Sequence, residues 1–291
     1  MIGLLSTWVC YFAVFYLGCL GVGLLYRRGF LPLHLSALIG VGAYVFAALS
    51  GSFGIMAGLF AVLVTSVVSL MSGLVLVRVR GAAAALATIS MQFLFDRYVS
   101  TASWTGGSAG TALGFPIPSA LHKIVASLIA ILTCCFLYVM FQRTNASRLL
   151  IVDGHTPLLT ASANFTSPII PIVVVSLAVG FCAGLAGLLL VLQTGFIAPA
   201  NFSLNWSLLY SGTILLAGWH RPKTIAIGAF LLALLPELLR FVGFGQSDWS
   251  AWRGVVVGFV VALVVWRQFP RMITPVRVAI MDKVETSEGT I

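Results

Sequence analysis

With 291 residues, 60% of them hydrophobic and only 8% charged, this chain is excluded from the class of water-soluble domains. Such domains carry about 25% charged residues, and a surface this poor in charge needs lipid around most of it. The net charge of +9 does not point to nucleic acid, because the basic residues sit in short gaps between apolar runs, where membrane topology places them.

A helix crosses the hydrocarbon core with about 20 apolar residues. That criterion predicts transmembrane helices at 3–25, 34–50, 53–77, 82–98, 122–141, 168–193, 206–219, 224–243 and 251–266. The expected fold class is all-α, a polytopic bundle of about nine transmembrane helices. It would occupy 1–270 as one transmembrane domain, followed by a cytoplasmic tail at 271–291.

The first run begins at Ile2 with no basic stretch before it, unlike a cleaved leader, and ends at Arg27-Arg28. The second and seventh runs are short, so each is expected to be tilted, broken or partly re-entrant. His34 follows Pro32 at the start of the second and reads as an interfacial or hydrogen-bonded side chain. Gly40, Gly42 and Ala43 follow it. The fourth ends at Asp96-Arg97, read as a solvated helix end. The sixth carries Gly180, Gly184 and Gly187, a spacing that lets helix backbones approach closely in lipid. In the eighth, Glu237 and Arg240 stand three residues apart, as an intrahelical ion pair would.

Alternating the spans sorts the cations. One side holds Arg27, Arg28, Arg78, Arg80, Arg143, Arg148, Arg221, Lys223, Arg267, Arg271, Arg277 and Lys283; the other holds Arg97, Lys123, Arg240 and Arg253. The first side is therefore expected in the cytoplasm, with the N-terminus outside and the C-terminus inside. Three connections are long: 99–121 and 194–205 outside, 142–167 inside. The inner one has an apolar stripe, Leu149-Leu150-Ile151-Val152, then an expected turn at Asp153-Gly154-His155 and a second helical run from Leu158 to Ala163.

Enzyme constellations are absent from the sequence. There is no G-x-x-x-x-G-K-S/T loop to cradle phosphates and no H-E-x-x-H helix to hold zinc. The five cysteines lie inside apolar segments, with no C-x-x-C pair. No catalytic residue, metal site or bound cofactor is expected.

Three blocks resemble the permease subunits of bacterial ABC importers of the branched-chain (hydrophobic) amino acid family. Leu38-Ile39-Gly40-Val41-Gly42-Ala43-Tyr44 is similar to that family's F-F-G-I-G-A-Y. Arg78-Val79-Arg80-Gly81 with Trp104-Thr105-Gly106-Gly107-Ser108-Ala109-Gly110 resembles its R-L-R-G and T-G-G-S-x-G. Ala183-Gly184-Leu185-Ala186-Gly187, Gly195-Phe196-Ile197-Ala198-Pro199 and Leu234-Leu235-Pro236-Glu237-Leu238-Leu239-Arg240 resemble its A-G-L-A-G, G-F-I-S-P and L-L-P-E-L-L-R. Two departures stand out. Pro32-Leu33-His34-Leu35 replaces S-L-G-H, and the inner loop lacks the family's charged, Ala-rich stretch.

The resemblance implies a non-enzymatic transport subunit in a bacterial plasma membrane. It implies a second permease subunit, two cytoplasmic ATPase subunits that use the ATP, and an external substrate-binding protein. The amphipathic inner segment itself reads either as a helix lying along the membrane surface or as an ATPase-coupling helix formed by Arg148, Leu150, Ile151, Asp153, Gly154 and His155. The resemblance places the pathway and outer loops at Gly40, Gly42, Tyr44, Trp104, Thr105, Gly106, Gly107 and Phe196. A hydrophobic amino acid is the expected solute; urea or amides are the alternative within the class. A self-contained secondary transporter is the rival class. It would need acidic groups near the midplane, and Asp96 and Glu237 both lie towards the outer face.

Overall fold

The computed structural model describes residues 2–29, 31–79, 81–114, 116–155, 169–218, 221–241 and 259. The chain divides into two compact units, Met1–Gly243 and Phe244–Ile291. In the second unit only Phe259 is described. Apart from Phe259, the predicted span at 251–266 lies outside the described residues, as do the tail at 271–291 and the run from Leu158 to Ala163.

The first unit is helical. In chain order it contains α1 (Ile2–Tyr26), α2 (Leu35–Phe53), α3 (Ala57–Arg78), α4 (Gly81–Thr101), α5 (Ala120–Arg143), α6 (Asn145–His155), α7 (Ile169–Thr194), α8 (Leu204–Ala217) and α9 (Pro222–Phe241). All but α6 correspond to predicted spans. Among the described residues, four helical stretches are long and apolar enough to cross a membrane: Leu5–Tyr26, Leu35–Arg78, Ala120–Arg143 and Ile169–Thr194. The second of these is α2 and α3 joined through Gly54, whose φ of +54° allows the reversal.

α1 is the central post. Its 25 residues reach about 37 Å at 1.5 Å per residue. From Cys10 to Leu25 its apolar side chains are almost all buried, which its uniformly apolar sequence permits. It packs against α5, α7, α8 and α9.

α7 lies across α2 and α3 on its glycine ridge. A Cβ at Gly184 would stand 2.9 Å from the Val62 Cα, and one at Gly187 would press on the Ile39 carbonyl oxygen. Gly42 meets the same ridge: a Cβ there would stand 2.9 Å from the Gly184 Cα. Close backbone approach substitutes here for the hydrophobic drive that lipid does not supply.

Outward faces are apolar and inward faces carry the polar groups. On α3, Leu59, Leu63, Val67 and Met71 are exposed, while Thr65, Ser69 and Ser72 are buried. On α5, Ser127, Ala130, Cys134, Tyr138 and Phe141 face α1, and Leu128, Leu132 and Phe136 face out. A water-soluble protein shows the reverse pattern. The arrangement defines an all-α membrane bundle.

α8 has 14 residues, about 21 Å of helix, too short to cross the roughly 30 Å core alone. It is preceded by a 3-10 turn at Pro199–Phe202. The expected turn at Asp153-Gly154-His155 takes another form: these residues close α6 as its last turn. Helix propagation adds one backbone hydrogen bond per residue, and a single glycine there costs only about 1 kcal/mol.

Candidate functional site

Three regions carry polar or aromatic side chains that the packing alone does not require. The first is the cap at the end of the bundle formed by 101–119 and 194–203. The segment from Trp104 to Gly110 folds as two 3-10 turns, Ser103–Thr105 and Gly107–Ala109, separated and closed by Gly106 (φ +74°) and Gly110 (φ +84°). A side chain at Gly106 would run into the Gly110 carbonyl. The Thr105 hydroxyl is buried 2.7 Å from the carbonyl oxygens of Val99 and Ala102.

The chain then forms β1 (Thr111–Ala112), which pairs antiparallel with β2 (Phe196–Ile197), Thr111 opposite Ile197. Leu113 N–H donates to Gly195 O at 2.9 Å, and Gly114 N–H donates to Ser50 Oγ at 2.9 Å. The two connections are thus one structure. Nothing local in either segment announces that pairing.

Beneath the cap lies an aromatic cluster. The Tyr44 ring stands 5.8 Å from Phe202, 6.5 Å from Phe95 and 6.5 Å from Trp104, centroid to centroid. Tyr44 is 1% exposed, and its hydroxyl is buried with no hydrogen-bond partner among the described residues. Gly40 is where the Phe95 and Phe202 rings rest on α2. Trp104 and Phe196 are each 46% exposed. The structure therefore joins Gly40, Tyr44 and Trp104, puts Thr105, Gly106 and Gly107 in the adjoining loop, and assigns Gly42 to the α7 ridge.

The second region is the entry to α2. Segment 31–34 is not helical and is packed inside the bundle, so its backbone groups need partners from the protein. They find them in side chains. Leu33 N–H donates to Thr88 Oγ1 at 3.2 Å, and Ser211 Oγ donates to Pro32 O at 3.2 Å. Ser36 N–H donates to Ser207 Oγ at 2.9 Å, and Ala37 N–H donates to Gln92 Oε1 at 3.0 Å.

Gln92 uses its whole amide. Nε2 donates to Phe202 O at 2.7 Å and to Asp96 Oδ1 at 3.0 Å, while Oε1 also accepts from Ser207 Oγ at 3.3 Å. Asp96, read from sequence as a solvated end, is half-buried and held by this bond. Arg97 is exposed. The sequence reading passed over Gln92, although a lone amide inside span 82–98 is the signal an intramembrane polar residue leaves.

Beside that entry, α2, α3 and α4 enclose a groove of about 340 Å³. Leu38 and Val41 of α2, Val68 and Met71 of α3, and Leu94 and Phe95 of α4 form its walls. His34, Ser72 and Tyr98 are also in its lining. His34 is 2% exposed; its Nε2 is 3.3 Å from Ser72 Oγ, and its Nδ1 has no hydrogen-bond partner among the described residues. His34 is thus buried and hydrogen-bonded.

The third region is the basic end. Arg27 and Arg28, in the turn after α1, are buried. Arg27 donates to Ser147 Oγ of α6, and its guanidinium stands 5.2 Å from the Tyr138 ring and 5.6 Å from the Phe141 ring of α5. Arg28 donates to the carbonyls of Leu76 and Val77 at the end of α3, where a cation also meets the helix dipole. These two arginines, noted only as cations in the sequence, fasten four helices at one level.

α6 packs on α5 and α7. Leu150 is 2% exposed and sits among Leu24, Leu25, Leu76, Ile172 and Val175. It anchors α6 to this bundle, so it is not available as an anchor for another protein. Ile151 is half-buried and Arg148 is exposed. The side chains of Asp153 and His155, and those of Glu237 and Arg240, lie outside the described residues.

A bundle with polar groups turned inward, a helical segment laid across its basic end and a groove between its helices is a polytopic membrane protein. The family model describing the permease component of branched-chain amino acid transport systems matches residues 4–265. The chain belongs to that family. No curated protein and no solved structure matches it significantly.

Proposed function

We propose that this chain is the transmembrane permease subunit of an ATP-binding cassette importer that carries a branched-chain or other hydrophobic amino acid into the cytoplasm. The observation that carries the reading is α6. In a chain of the permease family, an 11-residue helix leaves the membrane-crossing pattern and lies at the basic end, held by Ser147 on Arg27 and by Leu150 in the bundle. Its Arg148 and Ile151 remain at least partly accessible. A short helix fixed on one side and free on the other is suited to fill a groove on a partner.

The partner's role follows from chemistry. The sequence has no phosphate-cradling loop, so ATP is hydrolysed on two cytoplasmic ATPase subunits that α6 engages. A second permease subunit completes the pathway, and an external binding protein docks on the cap where Trp104 and Phe196 are exposed. The basic end faces the cytoplasm of a bacterial cell, with the N-terminus outside and the C-terminus inside.

The test is Ile151→Asp in the assembled transporter. We expect leucine uptake and ATPase co-purification both to fall at least about tenfold, a loss of about 1.4 kcal/mol or more, while the permease still reaches the membrane. Wild-type values for both would remove α6 from the coupling role.

A further inference from the structure

The groove between α2, α3 and α4 has a polar spot in an apolar lining, and packing does not explain it. We propose that this groove is the intramembrane subsite of the transported solute, selecting a small molecule with one polar head group and an aliphatic body. His34 and Ser72 would take the head, and Met71 and Leu94 the body. The inference rests on the importer reading above and adds where the solute sits and which residues choose it.

Size is the first argument. At about 340 Å³ the groove is at the small end of the roughly 300–1,000 Å³ that ligand sites occupy. The second is the distribution of polarity. His34 and Ser72 stand together, 3.3 Å apart, in a lining whose other side chains are apolar except for Tyr98. A lipid tail would need no polar spot.

The third argument is unfinished hydrogen bonding. Ser72 donates to Ser69 O at 2.7 Å and meets His34 Nε2 at 3.3 Å. The other imidazole nitrogen is buried without a partner, and a buried polar atom left unpaired calls for an explanation. A head group that enters the groove and turns the ring supplies the missing bond.

Leu94 is 73% exposed on the groove's open side, so a thiol placed there reports occupancy. In the assembled transporter carrying Leu94→Cys and Cys135→Ser, the rate of maleimide labelling is measured with leucine, urea or oleate present. We expect leucine to slow labelling at least about fivefold and oleate to leave it unchanged. In parallel, Ser72→Ala is expected to raise KM for leucine about tenfold, as loss of about 1.4 kcal/mol of head-group binding would, with ATPase co-purification unchanged.

Protection by oleate alone, by urea alone, or by none of the three overturns the subsite. An unchanged KM in Ser72→Ala removes the head-group assignment. Failure of the importer reading is visible separately, as absence of ATP-driven leucine uptake by the wild-type complex.

Discussion

Replacing Gln92 by Leu tests how the entry to α2 is held. The substitution puts an apolar side chain of similar size in place of the amide and removes four hydrogen bonds, to Ala37 N, Ser207 Oγ, Phe202 O and Asp96 Oδ1. Ser207 and Asp96 can turn to other partners. The Ala37 N–H and the Phe202 carbonyl are backbone groups at a buried junction and have nowhere to turn.

An orphaned buried group costs about 1–3 kcal/mol, and side-chain bonds inside membrane proteins average about 0.6 with a maximum near 1.7. Taking about 1–2 kcal/mol for each orphan gives an expected loss of about 2–4 kcal/mol. The assay is reversible unfolding of the purified chain in mixed micelles. Asp96→Asn keeps an acceptor for Nε2 and serves as the control, with a cost under about 0.5 kcal/mol. A loss below about 0.5 kcal/mol for Gln92→Leu would mean that the junction does not depend on this amide, and the reasoning would be refuted.

Gly187→Val places a branched side chain against the Ile39 carbonyl and the Ala43 nitrogen; since backbone cannot give way, we expect a loss of more than about 3 kcal/mol, read as the absence of a monodisperse peak in size-exclusion chromatography. Gly3→Ala, where a Cβ meets nothing within 4 Å, is the matching control and should be neutral. For orientation, an alkaline phosphatase fused after Ile291 is expected to be inactive and a fluorescent protein at the same place bright; an active phosphatase would invert the topology.

Local chemistry was enough to announce the membrane, the helices and their limits. Apolar runs of about 20 residues have few alternatives once lipid is the solvent, which is why the first eight expected spans match described helices within a few residues. The glycines at 180, 184 and 187 could be read as a packing ridge for the same reason, since spacing along one helix is a property of the sequence alone. The order of short motifs pointed to the permease family without any contact being known.

Other features depended on which segments meet in space. The ribbon of Thr111–Ala112 with Phe196–Ile197 joins residues more than eighty positions apart, too far for either segment to signal the other. Leu150 and Ile151 are neighbours in one apolar stripe, yet only the packing of α6 on the bundle decides that Leu150 is buried and Ile151 is partly free. Gln92 and Thr88 of α4, and Ser207 and Ser211 of α8, look like stray polar residues on two unrelated helices. They become one set of partners when the non-helical entry to α2 is placed between them. Arg27 and Arg28 counted as two inner cations in the sequence. Folding makes them the fastening of α3, α5 and α6 to α1, because a buried guanidinium must find acceptors, and the helix ends that supply them are brought together only by the tertiary structure.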